Sequence, residues 1–125
     1  MILNLTQHVA TPEQIAEGVV DMDAEDRRCL ADALTFDEAP IGAAMLCRAM
    51  EIMSLAVKYI PEGGGYVMLG GAPFFMPVLD AAARQFGYTP VYAFSKRESV
   101  ETTMPDGSVV KRNVFRHAGF VGMED

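Results

Sequence analysis

Residues 66–101, YVMLGGAPFFMPVLDAAARQFGYTPVYAFSKRESVE, decide the fold. Tyr66-Val-Met-Leu is a short apolar run stopped by Gly70-Gly71, and Val91-Tyr-Ala-Phe is another stopped by Ser95-Lys96-Arg97. Runs bounded in this way suit strands buried on both faces. Between them Val78, Leu79, Ala82, Ala83 and Phe86 recur at spacings of three and four, the signature of one helix face, and Gly87 supplies the stop. Pro77 has no N–H to donate, and a proline inside a helix costs about 3 kcal/mol, so the helix is expected to begin no earlier than about Phe75. That leaves residues 70–74 as a loop. Two parallel strands with a helical crossover make a βαβ unit, which brings Gly70, Gly71, Ser95, Lys96 and Arg97 to one edge of the sheet. Open α/β sheets hold their ligands at that edge.

Working towards the N-terminus, residues 2–5 read as a short strand. Thr11-Pro12-Glu13-Gln14 then opens a helix: Thr11 caps, Pro12 suits the first helical position, and Gln14 completes a capping box worth about 1 kcal/mol. Gly18 ends this helix. A second one starts at Asp23, with Glu25 and Asp26 in its first turn, and runs to about Leu34. Pro40 opens the longest helix, to about Ile60, apolar round most of its circumference with a narrow polar stripe of Arg48, Glu51 and Lys58. A helix so broadly apolar is either central to the core or covered by a partner subunit. Past Arg97, residues 99–104 and 109–121 flank the turn Pro105-Asp106-Gly107-Ser108, which predicts a closing β-hairpin. The expected architecture is one Rossmann-like, three-layer α/β domain over residues 1–125. Its mainly parallel sheet of three strands is extended by the C-terminal hairpin, with helices on both faces.

At 125 residues the chain is long enough for one domain with its own core, and 50% hydrophobic with 22% charged residues is ordinary globular composition. Met1-Ile-Leu-Asn-Leu lacks the basic region and apolar length of a signal peptide. Charges interrupt the only long apolar stretch, residues 41–60, so a membrane span is not expected. Cys29 and Cys47 sit in helical, partly apolar contexts and read as reduced core or near-core thiols of a cytoplasmic protein. No spacing of Cys and His calls for a metal, and no motif calls for a cofactor. The formal charge of −7 argues against general nucleic-acid binding. It is unevenly spread: residues 1–89 carry five Lys/Arg against twelve Asp/Glu, and residues 90–125 five against five.

Polar groups cluster at three expected strand ends. Asn4, Thr6, Gln7 and His8 follow the first strand just ahead of a helix start. Gly70 and Gly71 end the second, where a ligand can approach the backbone closely. Ser95, Lys96 and Arg97 end the third with one hydroxyl and two cations. The glycine pair matches neither G-x-G-x-x-G nor G-x-x-x-x-G-K-[ST], and no Gly-x-Ser-x-Gly elbow accompanies Ser95. His117 reads as a strand residue, and Phe74 and Phe75 as core.

Asn4-Leu-Thr-Gln-His8 running into Thr11-Pro-Glu-Gln14 resembles the start of small single-domain Rossmann-like proteins of CRISPR systems. These are related to the CARF domains, which bind cyclic oligoadenylate, and some act as ring nucleases. The resemblance covers about the first fifth of the chain, and it implies Asn4, Thr6 and His8 as ligand contacts. Alternatively, the chain shares only the fold and belongs to an uncharacterised bacterial or phage family. The expectation from residues and resemblance together is a protein binding a phosphate-bearing nucleotide or cyclic oligonucleotide at the strand ends. If it is an enzyme, it is a metal-independent phosphodiesterase in which His8 moves a proton and Lys96 or Arg97 stabilises the phosphorane charge. The competing expectation is a non-enzymatic homodimer formed through the helix of residues 40–60 or the terminal hairpin.

Overall fold

Five strands form one sheet in the order β2-β1-β3-β4-β5 in a computed structural model that describes residues 1–123. The chain runs β1 (Ile2–Asn4), α1 (Pro12–Ala16), β2 (Val19–Val20), α2 (Ala24–Leu34), α3 (Gly42–Tyr59), β3 (Tyr66–Leu69), α4 (Met76–Gln85), β4 (Thr89–Thr103) and β5 (Val109–Val121). Strands β1 to β4 are mutually parallel and β5 is antiparallel to β4, so the domain is α/β with a mainly parallel sheet and a C-terminal hairpin. The order changes direction between β1 and β3, and there the loops leaving two adjacent strands part to opposite sides.

Strand alternation sorts the core into two clusters. Leu3, Leu5, Val67 and Leu69 face Leu30, Ile52, Met53, Ala56, Leu79 and Ala83 of α2, α3 and α4. Ile2, Val19, Met68 and Val91 face the other way, onto Ala10, Phe120 and Met123. The second side has little helical cover, because α1 is a five-residue helix with no buried residue. The expectation of helices on both faces is therefore met substantially on one face only.

Local signals behave as their chemistry predicts. Thr11 and Gln14 make a complete capping box, Asp23 caps α2 by accepting from the Asp26 N–H, and Pro77 lies in the first turn of α4. Asp26, buried beneath α3, accepts from Lys58 Nζ at 2.8 Å and from the Tyr59 hydroxyl at 2.6 Å. Arg48 leaves the expected polar stripe and folds over the end of α2, donating to the carbonyls of Asp32, Ala33 and Thr35 with its guanidinium 4.9 Å above the Phe36 ring.

Three expectations need correction. Cys29 and Cys47 are both exposed, on the outer faces of α2 and α3. Strand β2 has no counterpart in the sequence reading. Most important, the third strand does not stop at Ser95: β4 continues without a break to Thr103, paired residue by residue with β5 apart from a register shift between Ala93 and Ser95. Beyond Tyr92, the last residue of β4 paired with β3, the two strands form an arm whose β4 residues pair only with β5.

Candidate functional site

Asn4 organises the loop that leaves β1. Its side chain is buried, and its amide nitrogen donates to the His8 carbonyl and to Asp21 Oδ1, both at 2.7 Å. Its oxygen accepts from the Thr6 N–H at 2.9 Å and the Thr6 hydroxyl at 2.7 Å. Asp21 extends the network, accepting from the Ala10 N–H at 3.1 Å. The polar capacity of Asn4 is spent inside the protein, so it positions the loop and has nothing left to offer a ligand. Gln7 is tied down as well, donating to the Thr35 hydroxyl at 2.9 Å.

The loop so held faces Gly70-Gly71 across the switch point. A crevice of about 430 Å³ opens between them, lined by Thr6, Gln7, His8, Val9, Thr11, Gln14, Met68, Gly70, Gly71 and Ala93. Gly70 sits close to the loop, since a Cβ there would stand 3.2 Å from Thr6 Cγ2, a tight contact. Gly71 has a positive φ of 154°, and its own Cβ would meet the Met76 methyl at 3.3 Å. The His8 side chain is exposed and, among the described residues, its imidazole has no hydrogen-bond partner. The lining holds no Lys, Arg, Asp or Glu: beside the imidazole it offers hydroxyls, amides and backbone, with buried Met68 beneath and Val9 and Ala93 as apolar neighbours.

Two of the three expected strand-end groups thus line one cavity, and the third does not. Ser95, Lys96 and Arg97 are absent from its wall because β4 carries them outward along the arm. Ser95 lines a neighbouring cavity of about 420 Å³ with Thr11, Glu13, Gln14, Phe115, Arg116 and His117. By strand alternation Lys96 faces away from Ser95 and Arg97 faces the same way. Thr11 and Gln14 line both cavities, although their sequence signal was purely that of a capping box. Asp21 carried no signal, being one carboxylate among twelve in its part of the chain.

On the far side of Gly70-Gly71 lies a shallower cavity, of about 740 Å³, bordered by Pro73, Met76, Asp80, Arg84 and Tyr92. The Tyr92 hydroxyl donates to Asp80 at 2.7 Å, and Arg84 pairs with the same carboxylate at 2.8 Å. Burial, together with the hydrogen bond to Asp80, pushes the Tyr92 phenol up to about 12. No group of three or more His, Cys, Asp or Glu side chains that could hold a metal exists among the described residues, and none of their helices is long and apolar enough to cross a membrane.

The model of the Uncharacterized protein MJ1673 family matches residues 1–121. The chain belongs to that family. The match includes the crevice, the neighbouring cavity and the whole arm, so all of these are parts of the family's domain. No curated protein and no solved structure matches the chain.

Proposed function

We propose that the protein is a Rossmann-like domain that binds a phosphate-bearing nucleotide in the crevice between β1 and β3. The observation that carries this reading is the meeting of the Thr6–His8 loop with Gly70-Gly71 in one cavity at the switch point of the sheet. The cavity has the character a nucleoside needs, with an apolar floor, neutral donors and acceptors on the wall and close backbone approach at the glycines. The resemblance of the first fifth of the chain to ring-nuclease-type proteins makes cyclic oligoadenylates the first ligands to try. Catalysis, if present, uses His8, whose free imidazole is the one acid–base group on the crevice wall.

The test is calorimetry against adenosine, adenosine monophosphates and cyclic tri-, tetra- and hexa-adenylate, with product analysis of each mixture. Binding by the native chain and lost turnover in His8→Ala are expected. Silence across the panel sinks the reading, and turnover unchanged in His8→Ala removes His8 from the mechanism.

The arm favours a second reading, a homodimeric interaction protein. An isolated two-stranded ribbon is marginal in water, yet this one holds Phe94 48% and Phe115 73% exposed. Ile41 at the N-cap of α3, and Leu46 and Met50 within it, are exposed. Residues 94–118 carry five Lys/Arg against three Asp/Glu, while residues 1–89 carry seven more acidic than basic groups, so the arm of one copy complements the body of another. Light scattering at micromolar concentration decides this: a dimer that Phe115→Ser weakens supports the reading, and a monomer ends it.

A further inference from the structure

We infer that the cavity over Ser95 and His117 is the phosphate subsite of the nucleotide site, a reading that rests on the crevice being the nucleoside pocket. The two cavities share Thr11 and Gln14 as a common wall. A ligand seated against Met68 and Gly70 therefore has its next group directed towards Ser95.

The group that points to a ligand there is His117. Its side chain is only 8% exposed, yet neither ring nitrogen has a hydrogen-bond partner among the described residues. Buried polar atoms are normally satisfied, and an imidazole with a bare Nδ1 and only a misaligned, half-exposed carboxylate near Nε2 is an exception that needs a cause. Phe120 packs edge-on against the ring at 5.0 Å and holds it in place. The Glu17 carboxylate reaches Nε2 at 2.9 Å without hydrogen-bond alignment. A carboxylate oxygen at that position stands where a phosphate oxygen would bind. Glu17 is 47% exposed at the end of α1, so it can turn out to solvent.

The surrounding groups are donors. Ser95 is the direct cross-strand partner of His117, and its hydroxyl has no hydrogen bond among the described residues. The Thr11 hydroxyl accepts from the Gln14 N–H and keeps its proton to donate; Gln14 accepts through Oε1 and keeps its NH₂. Arg116 also lines the cavity, with its guanidinium paired to Glu98 across the ribbon. Glu13 and Glu17 are the opposing charges. Hydroxyls, an amide, an imidazole and one guanidinium form a donor set suited to a single phosphate group.

Calorimetry on the full chain with adenosine and with its 3′- and 5′-monophosphates tests this. One monophosphate is expected to bind at least about tenfold more tightly than adenosine, the low-end yield of a single hydrogen bond to a charged group. That increment should vanish in His117→Asn, shrink in Ser95→Ala and grow in Glu17→Gln, with adenosine affinity unchanged in all three. A merely structural role for His117 predicts no opposite shift in Glu17→Gln. Should His117→Asn fail to fold, Ser95→Ala and Glu17→Gln still decide. Equal binding of adenosine and both monophosphates overturns the subsite and leaves the crevice; an increment untouched by the variants also overturns it. Failure of all three compounds to bind removes both readings.

Discussion

Replacing Asn4 by alanine separates a positioning role from a ligand-contact role. The side chain makes four internal hydrogen bonds, two as donor and two as acceptor, all between 2.7 and 2.9 Å. At a net of roughly 0.5–1.5 kcal/mol each, they sum to about 2–6 kcal/mol. The Thr6 hydroxyl and the His8 carbonyl lie near the surface and recover water, and Asp21 keeps the Ala10 N–H, which places the expected loss at the low end, about 2–3 kcal/mol. For a domain of this size that is a fall in Tm of roughly 10 °C, out of a total stability of about 5–15 kcal/mol. Urea unfolding followed by circular dichroism should show a lower midpoint at unchanged slope. Asn4→Asp adds a sharper control. It keeps both acceptors but sets a carboxylate oxygen where the amide nitrogen donates to Asp21 at 2.7 Å, so it should cost more than alanine at neutral pH and recover as the pair protonates in acid. A loss below about 1 kcal/mol in Asn4→Ala, with nucleotide affinity nevertheless abolished, would refute the positioning argument and return Asn4 to the ligand.

Three further outcomes follow from the packing. Hydrogen bonds from Lys58 and then from Tyr59 hold the Asp26 carboxyl below its ordinary range. Its contribution to stability is therefore complete above the unfolded carboxylate value and disappears as pH falls through the folded one, so Asp26→Asn should flatten the acid limb of a stability–pH curve. Tyr92 is raised, chiefly by burial, to about 12. The stability linked to it is complete below the unfolded tyrosine value and lost as pH rises towards 12; in an absorbance titration it should ionise late, and Tyr92→Phe should remove that step. Gly122 has φ of 96°, and a Cβ there would stand 2.8 Å from the Pro90 carbonyl oxygen, so Gly122→Ala should cost about 1–3 kcal/mol by urea unfolding.

Much of the fold was legible because its signals are local. The capping box at Thr11 and Gln14, the Asp23 cap, Pro77 in the first turn of α4 and the glycines after α1 and α4 act within four residues of themselves, and each stands where its chemistry puts it. Strand β2 was not legible. Two valines after Gly18 are too short to show a period, and they become a strand only because β1 lies alongside with its own hydrogen-bonding edge free. The cysteines misled for two reasons: Cys29 lies on the polar, outward side of α2, and α3 exposes Leu46, Met50 and Val57, so the apolar context of Cys47 did not imply burial.

The candidate site divides along the same line. Thr6, Gln7, His8, Gly70 and Gly71 line the cavity because they follow short, mostly apolar strands whose ends the sequence marks. Ser95, Lys96 and Arg97 were misplaced by the converse of that rule. A polar run ends a strand buried inside a sheet, but a ribbon wet on both faces imposes no such demand. Once β5 supplies the hydrogen bonds, Ser-Lys-Arg-Glu-Ser is as good a strand as Val-Tyr-Ala-Phe, and β4 runs on. The same extension makes the site richer than the sequence implied. It takes Lys96 and Arg97 out of the crevice, and it lays Ser95 opposite His117, a pairing across 22 residues that no local pattern encodes. The histidine that read as an ordinary strand residue is consequently the one buried side chain in the neighbourhood with unspent hydrogen bonds, while Asn4, which read as a ligand contact, has none to spare.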